Sequence, residues 1–210
     1  MKLILFGGAE VDLGQVELEL KQIGEVINQL APKQVLHIPF ARTGASGGEW
    51  NEKDWFRKYI HAERTEYLNA ENREDIEKAT TPLVFLSGGG GNMVLLEKIK
   101  ANEKLLDLIL NASCIIGESA GAKILGAYFR AKGDDDDSKM IEGLGIIRDA
   151  VIEPHYTEKK RQDLLLKDMK EARVHYGIGI DCLTAIEFEV DEFPKTYKKI
   201  GSGTVAIRER

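Results

Sequence analysis

The sequence predicts an α/β protein in which helices cover both faces of a largely parallel sheet. Short, uniformly apolar runs alternate along the 210 residues with longer segments in which apolar residues recur every three or four positions. Runs of the first kind are typical of strands buried on both faces, and segments of the second kind are typical of the helices that cover them. With 43% hydrophobic and 30% charged residues, the composition is that of an ordinary globular chain, so we expect one domain over residues 1–210.

Residues 1–116 predict four strands and three helices. In the clearest helix, the apolar side chains from Val16 to Leu30 are spaced by three and four, and Pro32 follows its end. The first apolar run stops at Gly7, as expected for a strand that enters a turn. The predicted strands are residues 2–6, 35–39, 82–86 and 113–116, and the predicted helices are residues 15–30, 50–63 and 93–99.

The rest of the chain predicts further strands and helices around an acidic loop. Four consecutive aspartates within residues 133–138 require solvent, because like charges at that density cannot be buried. The turn Gly201-Ser202-Gly203 predicts a hairpin between residues 196–200 and 204–207. The other predicted strands are residues 143–147, 150–152, 177–180 and 184–190, and the other predicted helices are residues 122–128 and 158–173.

Charge and hydropathy exclude two classes of partner. Lys and Arg total 29 against 35 for Asp and Glu, which gives a net charge of -6 without a basic stripe, so we expect no nucleic acid. The apolar runs are far shorter than the roughly 20 residues of a membrane helix, and the first run is too short for a secretory signal. Cys114 and Cys182 lie in apolar stretches, as buried thiols do in a reducing compartment. We therefore expect a cytoplasmic protein.

A serine on a predicted strand-to-helix turn is the first candidate for chemistry. Gly117-Glu118-Ser119-Ala120-Gly121 matches the pattern G-x-S-x-G directly after strand 113–116. A nucleophile elbow requires this context, because small neighbours permit the strained turn and the N–H groups of the next helix point at the group under attack. A tight turn without chemistry would need similar residues. Ser119 is therefore a candidate nucleophile.

A serine hydroxyl needs a base, and the sequence offers four histidines. His37 lies within a predicted strand and His61 at a helix end, where core packing or solvent exposure accounts for them, and His175 follows a charged helix. His155 follows the strand 150–152, and open α/β sheets place their sites at the carboxyl ends of strands. We expect His155 to share that edge of the sheet with Ser119.

The glycine run at residues 88–91 has two interpretations. It can cradle a phosphate at a helix N-terminus, although it lacks the Gly-Lys-Ser/Thr ending of a P-loop and the spacing of a dinucleotide fingerprint. In a hydrolase, one of its N–H groups would join that of Ala120, the residue after the nucleophile, to form an oxyanion hole. The run alone does not decide between the two.

Three motifs together resemble those of the peptidase E and cyanophycinase family of serine peptidases. They are Gly-Gly-Gly-Asn ending at Asn92, Gly-x-Ser-Ala-Gly-Ala around Ser119, and Pro-His-Tyr around His155. Residues 7–10 and 177–181 also look like cyanophycinase, so the resemblance covers roughly residues 3–186. It implies a flavodoxin-like, three-layer fold related to the class I glutamine amidotransferases. It also implies Ser119 as nucleophile, His155 as base, and Gly91 with Ala120 as oxyanion donors.

The resemblance places the acid of a catalytic triad on the acidic loop. In peptidase E this acid is a loop aspartate after the serine, and the matching offset falls on Asp134. The run of four leaves the register open, so the alternatives are Asp135, Asp136 and Asp137, or a loop that is only solvated. Asp181 is an outside candidate, because cyanophycinase-like sequences often carry an acidic residue after the matching Asp, where this chain has Cys182.

The same resemblance implies a peptidase that needs no metal or cofactor. Arg161 is the best candidate to bind a substrate carboxylate, because a guanidinium can donate two parallel hydrogen bonds, although a surface role is the alternative. Cyanophycinase-like sequences carry more arginines after the histidine than this chain does. That difference favours small peptides, such as dipeptides with N-terminal Asp, over the aspartyl-arginine peptides of a cyanophycinase-like hydrolase.

Two other classes of protein are alternatives to a peptidase. A non-catalytic protein that binds a small molecule or phosphate could use the two glycine-rich turns as its cradle. An amidotransferase-like hydrolase would carry Cys at the elbow and an acid two residues after the histidine, where this chain has Ser119 and Thr157. The sequence leaves the oligomeric state open, a homodimer included.

Overall fold

The computed structural model describes residues 1–42, 54–132 and 138–210, and it confirms the predicted α/β class with a large, mostly parallel sheet. In chain order, the strands are β1 (Lys2–Phe6), β2 (Gln34–Ile38), β3 (Glu66–Asn69), β4 (Leu83–Leu86), β5 (Cys114–Glu118), β6 (Tyr128–Arg130), β7 (Met140–Glu142), β8 (Ala150–Pro154), β9 (Tyr176–Ile180), β10 (Ala185–Glu189), β11 (Lys198–Ile200) and β12 (Val205–Glu209). The α-helices are α1 (Val16–Leu30), α2 (Arg73–Lys78), α3 (Asn92–Lys100), α4 (Glu103–Leu110), α5 (Ala120–Lys123) and α6 (Gln162–Ala172).

Within the described part of the chain, the strands form one large and two small sheets. The main sheet has the order β11-β10-β1-β5-β4-β2-β3, in which the five strands from β1 to β3 pair in parallel and β10 and β11 add antiparallel pairs. A second sheet has the order β12-β9-β8, and β6 pairs with β7. None of the described helices is long and apolar enough to cross a membrane.

The alternation of side chains along β1 explains the three layers. Leu3 and Leu5 are buried in a cluster with residues of α3 and α4, whereas Ile4 and Phe6 are buried in a second cluster with residues of α1. Successive strand residues point to opposite faces, so the main sheet is covered by helices on both sides. Burial on both faces is the reason why β1, β4 and β5 are continuous apolar runs in the sequence.

Two predicted elements near the elbow take other forms. The predicted helix 122–128 ends early, because α5 stops at Lys123 and the chain turns towards β6. Residues 143–147 do not form the predicted strand. Instead, the N–H groups of Gly143 and Leu144 donate to carbonyl groups of Ala127 and Ile124, so this segment closes over the turn that follows α5.

The predicted C-terminal hairpin is wrong. β11 pairs with β10 in the main sheet, and β12 pairs with β9 in the second sheet, so the two strands are not partners of each other. Their connection is held by other residues: Gly203 N donates to Thr184 Oγ1 at 3.0 Å, and Thr204 N donates to Asp181 Oδ2 at 2.7 Å. These bonds draw the chain from one sheet to the other instead of folding it back.

The predicted helix 50–63 differs from the described part of that segment. Residues 55–59 form a 3₁₀ helix, and residues 50–53 lie outside the described ranges. The helix ends at Tyr59 because the N–H groups of His61 and Ala62 donate to Asn28 Oδ1 on α1. Residues 133–137, which include the four consecutive aspartates, also lie outside the described ranges.

Candidate active site

The candidate site lies where the carboxyl ends of β1, β5 and β8 meet. β1 and β5 are parallel neighbours with Phe6 opposite Glu118, so the residues that follow each strand come out at one edge of the sheet. Ser119 N donates to Phe6 O at 3.0 Å, and His155 N donates to Gly7 O at 2.9 Å. The end of β1 and the residue that follows it thus hold the backbones of Ser119 and His155 in place.

Ser119 lies on a strained turn between β5 and α5. Its φ of 48° and ψ of -106° are unusual for a residue with a side chain, and they aim the hydroxyl out of the turn. The turn is possible because its neighbours are small. A Cβ on Gly121 would overlap the carbonyl oxygen of Leu86, and one on Gly117 would come within 2.8 Å of Ala122 Cα.

The hydroxyl of Ser119 contacts the ring of His155. Ser119 Oγ lies 3.0 Å from His155 Nε2, which is hydrogen-bond distance for transfer of the serine proton. Burial, and then the positive charge of Lys159, hold the pKa of His155 below its ordinary value, while Glu10 acts in the opposite direction. His155 is therefore neutral at pH 7, the form that can accept a proton.

Glu10 contacts the other nitrogen of the same ring. Its Oε1 lies 2.8 Å from His155 Nδ1, and its side chain is 26% exposed. Glu10 is held from both sides of its backbone, since its N–H donates to Gln15 Oε1 and its carbonyl accepts from Gln15 N. Sequence reasoning noted residues 7–10 only as part of a resemblance and missed Glu10 as a partner of the histidine.

Of the aspartates that the sequence proposes for a triad, the structure describes Asp181 alone. Asp134, with Asp135, Asp136 and Asp137, lies outside the described residues, so its assignment stays a prediction. The carboxylate of Asp181 accepts hydrogen bonds from the backbone of Thr157 at 2.9 Å and of Thr204 at 2.7 Å. These bonds fix the turn after His155 against the turn after β9, which is a structural task.

The glycine run approaches Ser119 from β4. A Cβ on Gly88 would come within 3.0 Å of Ser119 Cβ, and Gly89 and Gly90 line the cleft in front of the serine. The N–H of Gly91 donates to Ala41 O at 3.0 Å. This geometry does not support the predicted oxyanion role of Gly91, because its proton is already used by a backbone carbonyl. Ala120, the other predicted donor, begins α5 beside the serine.

Charged side chains surround the cleft, which has a volume of about 320 Å³. Arg161, predicted to bind substrate, lines the cleft, and its Nη1 donates to the buried carboxylate of Glu153 at 2.8 Å. The other oxygen of Glu153 lies 2.8 Å from Lys123 Nζ. On the opposite side, Arg42 donates to Glu118 at 3.0 Å. The site is therefore built to receive a polar or charged ligand.

The remaining histidines lie away from this arrangement, as their sequence positions suggest. His37 is buried, its Nδ1 lies 2.6 Å from the Tyr67 hydroxyl, and burial lowers its pKa well below the ordinary value. His61 is exposed, and His175 is half-exposed beside Glu209. Among the described residues, Glu10, His155 and Cys182 form the one group of potential metal ligands whose atoms lie close together.

Serine hydrolases of several α/β folds carry their nucleophile on a strand-to-helix turn of this kind, within reach of a histidine base. The present chain falls in that class by its fold and by the geometry around Ser119. It belongs to peptidase family S51, whose model matches residues 3–196.

Curated relatives are consistent with this family, and solved structures share the fold. The chain is 32% identical over 149 residues to a cyanophycinase of Geminocystis herdmanii, which covers 64% of this chain and 51% of that protein. It is 26% identical to a cyanophycinase of a Nostoc species over 88% of this chain and 71% of that protein.

Among solved structures, a peptidase from an acI-B1 actinobacterium superposes with a TM-score of 0.64 at 22% identity, covering 98% of this chain and 89% of that chain. A Listeria monocytogenes EGD-e protein assigned to peptidase E superposes with a TM-score of 0.57 at 18% identity, covering 100% of this chain and 98% of that chain.

Proposed function

We propose that the chain is a serine peptidase that hydrolyses small peptides, in particular dipeptides with N-terminal Asp. The observation that carries the proposal is the 3.0 Å contact between Ser119 Oγ and His155 Nε2 on a strained strand-to-helix turn. Membership of peptidase family S51 supports the same chemistry. The chain spans about half the length of the first curated relative, so the activity is argued from the site.

In the proposed reaction, Ser119 attacks the scissile carbonyl while His155 Nε2 removes its proton and later gives it to the leaving amine. Glu10 accepts a hydrogen bond from the Nδ1–H of His155, which keeps the lone pair of Nε2 towards the serine and stabilises the imidazolium that forms. The Ala120 N–H and an N–H of the Gly89-Gly90 segment would hold the oxyanion. None of these steps uses a metal or cofactor.

The size and charge of the cleft support a short, acidic substrate. A volume of about 320 Å³ lies at the low end for ligand pockets and suits a few residues of peptide. The hydrogen bond from Arg161 Nη1 to the buried carboxylate of Glu153 holds the guanidinium at the wall of the cleft. The guanidinium of Arg161 would bind the side-chain carboxylate of an N-terminal Asp, the role that the sequence predicts for it.

A second candidate is a cyanophycinase-like hydrolase of aspartyl-arginine peptides. The names of the curated relatives favour it. Glu10 and Asp12 at the same cleft would suit the guanidinium of such a peptide. The cytoplasmic location and the homodimer remain predictions, whichever of the two substrates is correct.

One set of assays separates these candidates from a non-catalytic binding protein. We expect a fluorophosphonate probe to label Ser119, and we expect Ser119→Ala to lower turnover on the order of 10⁶-fold while the melting temperature is kept. Asp-Leu should be cleaved faster than its neutral isostere Asn-Leu, and both should be compared with aspartyl-arginine peptides. A chain that cleaves no peptide, takes up no probe and gains melting temperature with a phosphorylated metabolite would be a binding protein.

A further inference from the structure

We propose that Glu10, His155 and Cys182 form a binding site for a zinc ion that switches the enzyme off. Their ligand atoms all lie within 4.8 Å of one another. His155 Nδ1 is 2.8 Å from Glu10 Oε1 and 3.1 Å from Cys182 Sγ, and Cys182 Sγ is 3.9 Å from Glu10 Oε1. The three atoms form a triangle on the side of the imidazole that faces away from Ser119.

The size of this triangle is close to that of a tetrahedral zinc site. Zinc bonds of about 2.0–2.3 Å place nitrogen and oxygen ligands about 3.4 Å apart, and a sulfur ligand about 3.6 Å from either. The two shorter separations must therefore widen by roughly half an ångström, and the longest must shorten by less. Small rotations of the three side chains supply such changes without movement of the backbone.

The donor set is one that zinc prefers. An imidazole nitrogen, a thiolate and a carboxylate suit Zn²⁺, whereas Mg²⁺ and Ca²⁺ prefer oxygen ligands alone. Three protein ligands leave a fourth position for water. Glu10 and His155 line the cleft with side chains 26% and 13% exposed, so an ion can reach Cys182 through them.

Backbone hydrogen bonds hold Cys182 in this position. Cys182 N donates to Glu158 Oε1 at 3.0 Å, and Leu183 N donates to Gly8 O at 3.0 Å. The first bond ties the cysteine to the turn that follows His155, and the second ties it to the turn that leads to Glu10. The three ligands are therefore brought together before any ion binds.

Zinc on this face would remove the base. A metal that takes the lone pair of His155 Nδ1 displaces the proton there, and a neutral imidazole then carries its proton on Nε2. The thiol proton of Cys182 leaves to solvent, so binding of one Zn²⁺ releases one proton. An Nε2 that carries a proton cannot accept the one from Ser119 Oγ. The inhibition rests on the proposed function, whereas the binding of zinc does not.

The experiment measures binding and hydrolysis separately on the full chain in buffer free of chelators and added thiols. Zinc binding is read by competition with a chromogenic zinc indicator, and hydrolysis is read on the best dipeptide. We expect the wild-type chain to bind one Zn²⁺, to lose activity as the site fills, and to regain it with EDTA, while Mg²⁺ has no effect. Cys182→Ala should weaken both binding and inhibition at least tenfold, each relative to the variant's own zinc-free rate.

Cys114→Ala is the matched control, because it removes the other cysteine, at the far end of β5 from the site. It should bind zinc like the wild type. Cys182→Ser replaces Cys182→Ala if the latter unfolds, and Cd²⁺ should give the wild type a thiolate-to-metal absorption that Cys182→Ser lacks. Zinc binding that is equally tight without the Cys182 thiol would overturn the site. Binding through Cys182 that leaves hydrolysis unchanged would overturn the inhibition. A chain that binds zinc through Cys182 but cleaves no peptide even in EDTA would contradict the proposed function and leave the binding site supported.

Discussion

Glu10 Oε1 lies 2.8 Å from His155 Nδ1, although the two residues are 145 positions apart in the sequence. A carboxylate at this place accepts a hydrogen bond from Nδ1–H and leaves the Nε2 lone pair facing Ser119, which is the tautomer that a general base needs. The sequence points instead to Asp134 for this task, on a loop outside the described residues. The assignment of this acid to Glu10 and its assignment to Asp134 predict different activities for the same variants.

We expect Glu10→Gln to lower kcat by about 10³ to 10⁴, because an amide can stabilise the wrong tautomer and cannot offset the charge of the imidazolium. Asp12→Asn is the matched control, since Asp12 is an exposed carboxylate at the same cleft, and on Asp-Leu, which has no guanidinium, it should stay within a few-fold of wild type. Asp134→Asn should be equally mild. A large loss in Asp134→Asn with an active Glu10→Gln would assign the acid to the loop.

Local patterns predicted Ser119 and His155 but not Glu10, and the reason is geometric. The elbow motif and the position of His155 after a strand can be read within a few residues of sequence. The contact of Glu10 depends on the pairing of β1 with β5, which brings residues 112 positions apart, such as Phe6 and Glu118, to one edge. The available signal was a glycine turn followed by an acid after β1, the strand most apt to neighbour the elbow strand.

The pH profile should report the charges around His155. Only neutral His155 accepts the serine proton, so kcat/KM rises with pH through its pKa, which burial holds below 6.5. Lys159 lowers this pKa and Glu10 raises it. We therefore expect Lys159→Gln to move the acid limb to higher pH and Glu10→Gln to move it to lower pH. If neither substitution moves the limb, a group other than His155 controls it.

Glu118, the residue before the nucleophile, should position the loop of the glycine run at residues 88–91, which supplies the proposed oxyanion donor. Its buried carboxylate accepts from Gly88 N at 2.9 Å and from Arg42 Nη2 at 3.0 Å. We expect Glu118→Ala to lower kcat by about 10- to 100-fold with little change in KM, because loss of one oxyanion donor costs about 10²- to 10³-fold and this change only loosens the loop. Glu118→Gln keeps an acceptor for Gly88 and should recover part of the rate. Equal rates in both variants would argue that the ion pair with Arg42 matters and the loop bond does not.

The same contrast between local and distant information runs through the fold. The ends of buried strands such as β1 and β4 are predicted to within a residue, because a strand that is buried on both faces has a continuous run of apolar residues. The partners of β11 and β12 were predicted wrongly, because a glycine turn indicates a reversal but not which strand receives the chain. Thr184 and Asp181 decide that choice through hydrogen bonds to residues 203 and 204.

Gly8 should be essential to the position of His155. Its φ of 96° is unfavourable for other residues, and a Cβ there would lie 2.5 Å from His155 Nε2. We expect Gly8→Ala to displace the ring and remove most activity. Gly14→Ala is the control, because Gly14 has a φ of 65° but nothing within 4 Å of an added Cβ. Both should lose about 1–2 kcal/mol of stability from the positive φ, but only Gly8→Ala should lose turnover. An active Gly8→Ala would show that the ring has room to move.

Arg130 offers a direct comparison of a buried and an exposed ion pair on one guanidinium. Its Nε lies 2.7 Å from Asp168 Oδ1, and its Nη2 lies 2.7 Å from Glu171 Oε2. The side chain of Asp168 is 1% exposed and that of Glu171 is 41% exposed, and both belong to α6, the helix that begins after Arg161 at the cleft. Loss of Asp168 leaves a charge buried on Arg130 without its inner partner, whereas loss of Glu171 lets water take the place of a solvated carboxylate.

We therefore expect Asp168→Ala to lower the free energy of unfolding by about 3–5 kcal/mol, and Glu171→Ala by no more than about 1 kcal/mol. Urea unfolding followed by circular dichroism measures both at one pH and salt concentration. Asp168 is not among the residues that line the cleft. The folded fraction of Asp168→Ala should therefore keep its turnover, with any loss confined to a higher KM through a less firmly held Arg161. Equal destabilisation by the two variants would mean that Arg130 stabilises the fold through its packing and its 2.7 Å bond to Ser138 O, and not through the buried charge pair.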